Sequence, residues 1–185
     1  MKVQTAKTVN GVSLGILLNT ANLIKKKPST AKTKFYISNK WVRGGHNITT
    51  ITSFYNAGKE IFHKKPFTIQ SDEPEILAGN DIAPSPVEHL LNALGACLTS
   101  SMVYHASVKG INIYEMESQI EGDIDLRGYL GLSNLVRKGY NKIRVRYKIK
   151  SDAKDLELLK YLSLYSPVFD VINHGTPVEI SISDF

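Results

Sequence analysis

The chain carries a single sulfur nucleophile. Cys97 lies inside "APSPVEHLLNALGACLTSSMVYHASVKG", residues 83–110, and no Asp, Glu, Lys or Arg stands between His89 and Val108. A reactive cysteine works as its thiolate, which needs a neighbouring cation, a base or a helix N-terminus. The residues three and four positions from Cys97 are Ala93, Leu94, Ser100 and Ser101, and none is a base. A place about three turns into a helix is beyond useful reach of that helix's own dipole. Any activating group must therefore come from another segment or another chain. The candidates are Arg43 and His46 in "WVRGGHN", with Asp72, Glu73, Glu75 and Asp81 in "SDEPEILAGND" able to orient them. The alternative is that Cys97 serves as a small apolar residue, as free cysteines commonly do. One cysteine and five scattered histidines show no metal-ligand spacing, so no metal is expected. No P-loop or dinucleotide fingerprint is present, and no cofactor is expected.

The helix that must carry the thiol is strongly signalled. Ser85-Pro86-Val87-Glu88 supplies an N-cap, a proline at the first helical position and a capping-box glutamate. Gly110 is a good stop, giving a helix about 36 Å long. At 100° per residue, Val87, Leu90, Leu91, Leu94 and Leu98 share a face. Cys97 falls on its flank beside Ala93, Ser100, Ser101 and Tyr104, and Gly95 and Ala96 leave room for another backbone. That flank is a packing seam or the floor of a small pocket. The uncharged stretch holds two histidines, an asparagine, a threonine and three serines, too many polar groups for a membrane span. A helix buried within a protein, or between two copies of it, is the reading, and no membrane partner is expected. "GVSLGILL" is short for a signal-peptide core and is followed by Asn19 and three lysines, so a cytoplasmic location is expected.

The remaining elements frame that helix. The 185 residues suit one domain with an appendage, and the single cysteine excludes an intrachain disulfide and points to a reducing compartment. A first helix is expected with Asn10 as cap and Pro28 as stop, followed by a polar connector. From Lys34, "KFYISNKWV", "NITTITSFY" and "KEIFHKK" read as an antiparallel meander with turn residues at Asn56–Gly58. "PFTIQSDEPEILAGNDIAPSP" reads as an acidic loop. After the long helix come "INIYEMESQIEGDIDLRG" and "KIRVRYKIK", in which Ile143, Val145, Tyr147 and Ile149 face one way and the basic residues the other. That basic stripe is the wet face of a half-buried strand rather than a phosphate site. A helix capped by Asp152, a second capped by Ser166 with Pro167 behind it, and a last strand in "TPVEISISDF" complete the chain. The order argues for an α+β fold. The net charge of +6 permits a polyanion partner without demanding one, and no nucleic-acid partner is expected.

The ordered motifs "DEPEILAGNDIAPSPVEHLLNALGACLTSSMVYHASVKGI", "EGDIDLRGYLGL", "VRKGYNKIRVRYKI" and "SPVFDVINHGTPVEI" resemble the OsmC/Ohr family, in its branch with a proline-rich approach to the cysteine helix. The resemblance runs from about Phe35 to the C-terminus. It divides the chain into an N-terminal helical extension, residues 1–32, and an OsmC-like domain, residues 33–185. It implies an intertwined homodimer in which antiparallel sheets wrap long central helices, with a site at the interface beside each helix cysteine. It further implies thiol-dependent reduction of organic hydroperoxides or hydrogen peroxide. In such a cycle the first thiolate becomes a sulfenic acid and a second cysteine, in a Cys-Pro-Val segment, closes a disulfide. An arginine and a glutamate activate the first thiol.

This chain departs from that pattern in three places. Ser166-Pro167-Val168 puts serine at the resolving position. His46 follows Gly44-Gly45 where the arginine is expected, with Arg43 just before. The glutamate position falls on Ile76, with Glu75 adjacent. The expectation is a redox protein using Cys97 with Arg43, His46 and Glu75 as candidate activators. Ser101, Tyr104 and Ser166 line the binding side, and an external thiol reductant acts as resolver. The alternative is a non-catalytic protein binding an apolar metabolite in the interface cavity.

Overall fold

A computed structural model describes residues 7–184. The chain divides into two compact units. One comprises Ser13–Leu90 with Lys7 and Thr8, and the other comprises Val9–Val12 together with the chain from Leu91 onward.

The N-terminal segment opens on a tight hairpin, β1 (Thr8–Val9) and β2 (Val12–Ser13), before helix α1 (Leu14–Lys26). Asn10 does not cap that helix, contrary to the sequence expectation. It sits in the hairpin turn at φ 51°. Its amide donates to Ser107 Oγ at 3.1 Å and to the Ile111 carbonyl at 2.9 Å, and its Oδ1 accepts from the Ile113 N–H at 2.8 Å. Asparagine tolerates the left-handed region because its short side chain can satisfy backbone groups. Here those groups lie about a hundred residues away.

The first unit is built on a meander. β3 (Thr33–Phe35) and β4 (Ser38–Arg43) share one edge of the long β5 (His46–Asn56), and β6 (Lys59–Ser71) pairs with the other edge, all antiparallel. Ala57 and Gly58 both take positive φ between β5 and β6, as a two-residue primed turn requires. β6 runs through Pro66 to Ser71, so "PFTIQS" is strand and not the start of the acidic loop. The register slips between Ile51 and Ser53, opposite the proline, which a bulge accommodates because proline has no N–H to give the ladder.

The second unit has the clearer core. Helix α2 spans Pro86–Val108, and Leu94, Leu98, Met102 and Ala106 are buried at four-residue spacing along it. β7 (Ile113–Asp123) pairs antiparallel with β8 (Lys142–Ser151), and a short α3 (Leu126–Tyr129) lies between them in sequence. Tyr147 and Ile149 of β8 pack on the cluster formed by Met102, Ala106, Leu159 and Leu162. The basic face of β8 meets acids across the ladder: Arg144 pairs with Glu121 and Asp123, Arg146 with Glu121, Lys148 with Glu117 and Lys150 with Glu115. The stripe is thus the solvated face that its alternation indicates.

α4 (Leu156–Ser163) is capped by Asp155, whose side chain accepts from the Glu157 N–H, and not by Asp152. Asp152 is taken by the Asn112 N–H and side chain, both at 2.7 Å. α5 (Pro167–His174) follows with Ser166 as cap. Residues 176–184 form no strand, although Val178, Ile180 and Ile182 alternate with polar residues. Alternation makes a strand only where the segment pairs with another, and this one pairs with none among the described residues, leaving Ile180 and Ile182 85% and 95% exposed. No helix among the described residues is long and apolar enough to cross a membrane.

Candidate functional site

The thiol is placed by a well-anchored helix. Ser85 and Glu88 close the capping box reciprocally: the Glu88 carboxylate accepts from the Ser85 N–H at 2.8 Å and its hydroxyl at 2.7 Å. The paired donors hold the Glu88 carboxyl below its usual range, with the hydroxyl contact leading. At the far end Gly110, at φ 73°, lets the Ile111 N–H turn back to the Ala106 carbonyl.

Between these ends Cys97 is half-buried. Two residues on, across the helix from the thiol, Thr99 shares a 3.2 Å hydrogen bond with the Tyr147 hydroxyl of β8. Burial pushes the Tyr147 phenol up, and the Thr99 contact offsets part of that. Gly95 is buried for a concrete reason: a Cβ there would stand 2.2 Å from Ile120 Cδ1. The small residue before the thiol therefore admits a side chain from β7, where the sequence reading allowed for a backbone. Ala96 is exposed.

Of the binding candidates, Ser101 is half-buried and Tyr104 is exposed on α2. Next to Tyr104, His105 stacks on Tyr165 with ring centroids 4.2 Å apart, and Tyr165 meets Tyr161 edge-on at 5.8 Å. Ser166 is 1% exposed and its Oγ accepts from the Phe169 N–H at 3.1 Å. At the resolving position the side chain is thus committed to holding a helix end.

Arg43, His46 and Glu75 belong to the first unit. Arg43 and His46 are register partners flanking the Gly44-Gly45 turn. Arg43 is exposed and makes no ion pair among the described residues. His46 is buried, and its Nε2 lies 3.0 Å from Gln70 Oε1. The Gln70 carbonyl in turn meets His89 Nε2 at 2.9 Å. Gln70 and His89 therefore join His46 in one hydrogen-bonded chain that the sequence alone did not reveal; the only prior signal was Gln70's place just before "SDEPEILAGND".

Asp72 is fully buried beside this chain. Burial pushes its carboxyl up, but the N–H groups of Glu73, Asn80 and Ile82 and the nearby His46 outweigh that and hold it below the ordinary range. Its two oxygens accept from the Glu73 N–H at 2.9 Å and the Asn80 N–H at 3.0 Å. Asp72 thereby folds the loop that carries Glu75, which sits exposed on a single 3₁₀ turn, Glu75–Leu77. Gly79 makes the loop possible, since a Cβ there would lie 1.6 Å from the Glu73 carbonyl oxygen.

A half-buried lone thiol on a capped helix, followed by an antiparallel pair and a Ser-Pro-capped helix, gives the comparison with known families its context. Residues 79–181 match the family model described as OsmC-like protein. The chain belongs to the OsmC family. Among solved structures, this OsmC-family chain is similar to an OsmC-like protein from Mycoplasma pneumoniae, with 17% identity, a TM-score of 0.58, and 76% of this chain and 88% of that one covered. It is also similar to a protein of Psychrobacter arcticus 273-4 described as an osmotic stress induced and detoxification response protein, with 14% identity, a TM-score of 0.56, and 75% and 88% covered. At these identities the likeness speaks for the fold alone. No curated protein sequence matches the chain.

Proposed function

We propose that this OsmC-family protein is a one-cysteine, thiol-dependent hydroperoxide reductase that works as a homodimer. The observation that carries the reading is Cys97, the sole thiol, half-buried rather than sealed in the core. In the first step the Cys97 thiolate attacks the terminal oxygen of a hydroperoxide. The O–O bond breaks, the sulfur is oxidised to a sulfenate, and the departing alkoxide takes a proton to leave as the alcohol. An external thiol then displaces hydroxide from the protonated sulfenic acid, giving a mixed disulfide and water. A second external thiol attacks that disulfide, releasing an oxidised donor and restoring Cys97. Ser166 has no part in resolution: serine forms no disulfide, and its hydroxyl is occupied as a helix cap.

Arg43, His46 and Glu75 are the proposed activators, with Asp72 and Gln70 holding His46 and the Glu75 loop in place. The second copy is supported by the apolar surface the single chain leaves open, including Phe35, Trp41, Ile180 and Ile182. Sedimentation should give a dimer at micromolar concentration, and a monomer would remove the interface site. The catalytic test is peroxide consumption with cumene hydroperoxide and a small dithiol donor. Wild type should turn over, Cys97→Ser should fall to background, and dimedone should label only the wild type. Wild-type rates equal to Cys97→Ser would end the reading.

A second reading is favoured by the lost resolving cysteine. Here a cavity around Cys97 at the dimer interface binds an apolar metabolite without turnover. Native mass spectrometry of the purified protein would then reveal a retained small molecule while peroxide consumption stays at background.

A further inference from the structure

Charge is distributed very unevenly along this chain. The first acidic residue is Glu60. Residues 1–59 hold ten of the 23 basic residues and none of the 17 acidic ones, which leaves residues 60–185 at net −4. Among the described residues, the lysines of that stretch and Arg43 make no ion pair, whereas Arg144, Arg146, Lys148 and Lys150 of β8 pair with Glu115, Glu117, Glu121 and Asp123 of β7.

Three of these lysines, Lys25, Lys26 and Lys27, end helix α1. Two in the last turn complement the helix dipole, which accounts for those two charges and not for the rest. On the helix, Leu14, Leu17, Ala21 and Ile24 are half-buried at helical spacing. The other side carries Ile16 and Leu23, 71% and 54% exposed and seven residues apart. An outward stripe of two large aliphatic residues running into a lysine cluster, with no acid anywhere on the helix, is the composition of a segment that lies in a bilayer interface.

We propose that α1 is an anionic-lipid docking element: it rests on a negatively charged membrane surface, with Ile16 and Leu23 in the acyl boundary and Lys25–Lys27 among the headgroups. This is adsorption, which needs no spanning helix. Three observations select a lipid surface over other polyanions or a second copy. Exposed aliphatic side chains gain nothing from a phosphodiester chain but gain burial at a bilayer. The stretch uses nine lysines and one arginine, point charges suited to diffuse attraction rather than to bidentate readout of bases. The acids a second copy could offer from β7 are already engaged with β8. Such docking would bring the protein to where apolar hydroperoxides arise, but it stands on charge and exposure and not on the peroxidase reading.

The test is flotation of the full chain with vesicles of pure phosphatidylcholine or of phosphatidylcholine containing phosphatidylglycerol, at low and high salt, scored without peroxide. Binding should require phosphatidylglycerol and fall with salt. Lys25→Gln/Lys26→Gln/Lys27→Gln should weaken it about a hundredfold, at about fivefold per lysine near the surface. Ile16→Asn/Leu23→Asn should weaken it at least about tenfold. Both variants alter exposed side chains, and unchanged thermal melting would establish that they fold. No flotation, equal flotation on neutral vesicles, insensitivity to either variant, or salt-sensitive binding to duplex DNA in place of vesicles would each overturn the proposal.

Discussion

The two units of this chain bury opposite kinds of residue. In the Leu91-onward unit the large buried side chains are apolar, Leu94, Leu98, Met102, Leu159 and Leu162, with Ala106 and the small polar Ser107, Ser163 and Ser166 among them, and Arg144, Arg146, Lys148 and Lys150 pair with acids across the β7–β8 ladder. In the Ser13–Leu90 unit the buried residues are polar, namely His46, Ser53, Ser71, Asp72 and Ser85. Its apolar residues lie outside, in rows such as Phe35–Phe54–His63–Phe67, whose rings follow one another at 5.0–5.7 Å. One unit has an apolar core of its own. The other is organised by hydrogen bonds in the segments that lead to the cysteine helix and leaves large apolar side chains such as Phe35, Trp41 and Phe62 exposed. The hydrophobic term is the main favourable contribution to folding, so the two should respond differently to the same kind of damage.

The largest effect expected is from truncating the apolar core. Leu159→Ala should cost about 2–5 kcal/mol, read from denaturant midpoints, and the loss should not depend on protein concentration. Phe35→Ser in the other unit should leave the limiting stability of the chain nearly intact and make the midpoint more concentration-dependent. Equal, concentration-independent losses at both positions would erase the contrast.

Next comes the polar interior. Asp72 has a native pKa below its unfolded value, so its contribution to stability is complete above the ordinary aspartate range and drains away as pH falls through the native value. Asp72→Asn should lower the melting temperature near neutrality and flatten its decline in acid. In the other unit Asp125 is lowered from 3.8 to about 2, chiefly by hydrogen bonds from Arg127, so its contribution is lost only as pH falls toward 2. Melting curves across the acid range would separate the two. A wild-type and Asp72→Asn pair with parallel pH profiles would show that the buried carboxylate is not what orders the loop.

What the sequence revealed follows the same divide between local and distant causes. The capping box at Ser85 and Glu88, the Ser166 cap and the two faces of "KIRVRYKIK" each depend on residues within a turn or a strand, and each stands where the pattern puts it. Asn10 was misread because its partners Ser107, Ile111 and Ile113 are distant in sequence. Asp152 and Asp155 are both acceptable caps by type, and only the claim of Asn112 on Asp152 decides between them. "PFTIQS" reads with the acidic, proline-rich segment that follows it, and the pairing with β5 that makes it strand is not local. The C-terminal alternation is genuine, but a strand also needs an edge. The thiol and its helix were legible. The chain from His46 through Gln70 to His89 was not, because it is assembled from three separate segments.

A smaller effect tests the meander's turn. Ala57 takes φ 49° beside Gly58, a conformation that costs an ordinary L-residue about 1–2 kcal/mol. Ala57→Asn restores the Asn-Gly sequence that such a turn favours and should stabilise the protein by about 0.5–1 kcal/mol, measured by thermal unfolding. No gain would mean that the β5–β6 turn is not formed when the unit unfolds cooperatively.

The smallest effect is expected where the contacts look most numerous. Lys148 and Glu117 sit 3.1 Å apart on the exposed face of β7–β8, with about three-quarters of each side chain in water. In that setting Coulomb attraction is screened, and holding two long side chains together costs entropy. A double-mutant cycle over Glu117→Ala and Lys148→Ala should return a coupling of about 0.5 kcal/mol or less, falling further in high salt. Arg144 is different in kind because it bridges Glu121 and Asp123 with three of its nitrogens, so its coupling should exceed that of Lys148. Should Lys148 couple as strongly as Arg144, the ladder would be acting as one network. The apolar core would then share with its charged face the credit for making that unit self-sufficient.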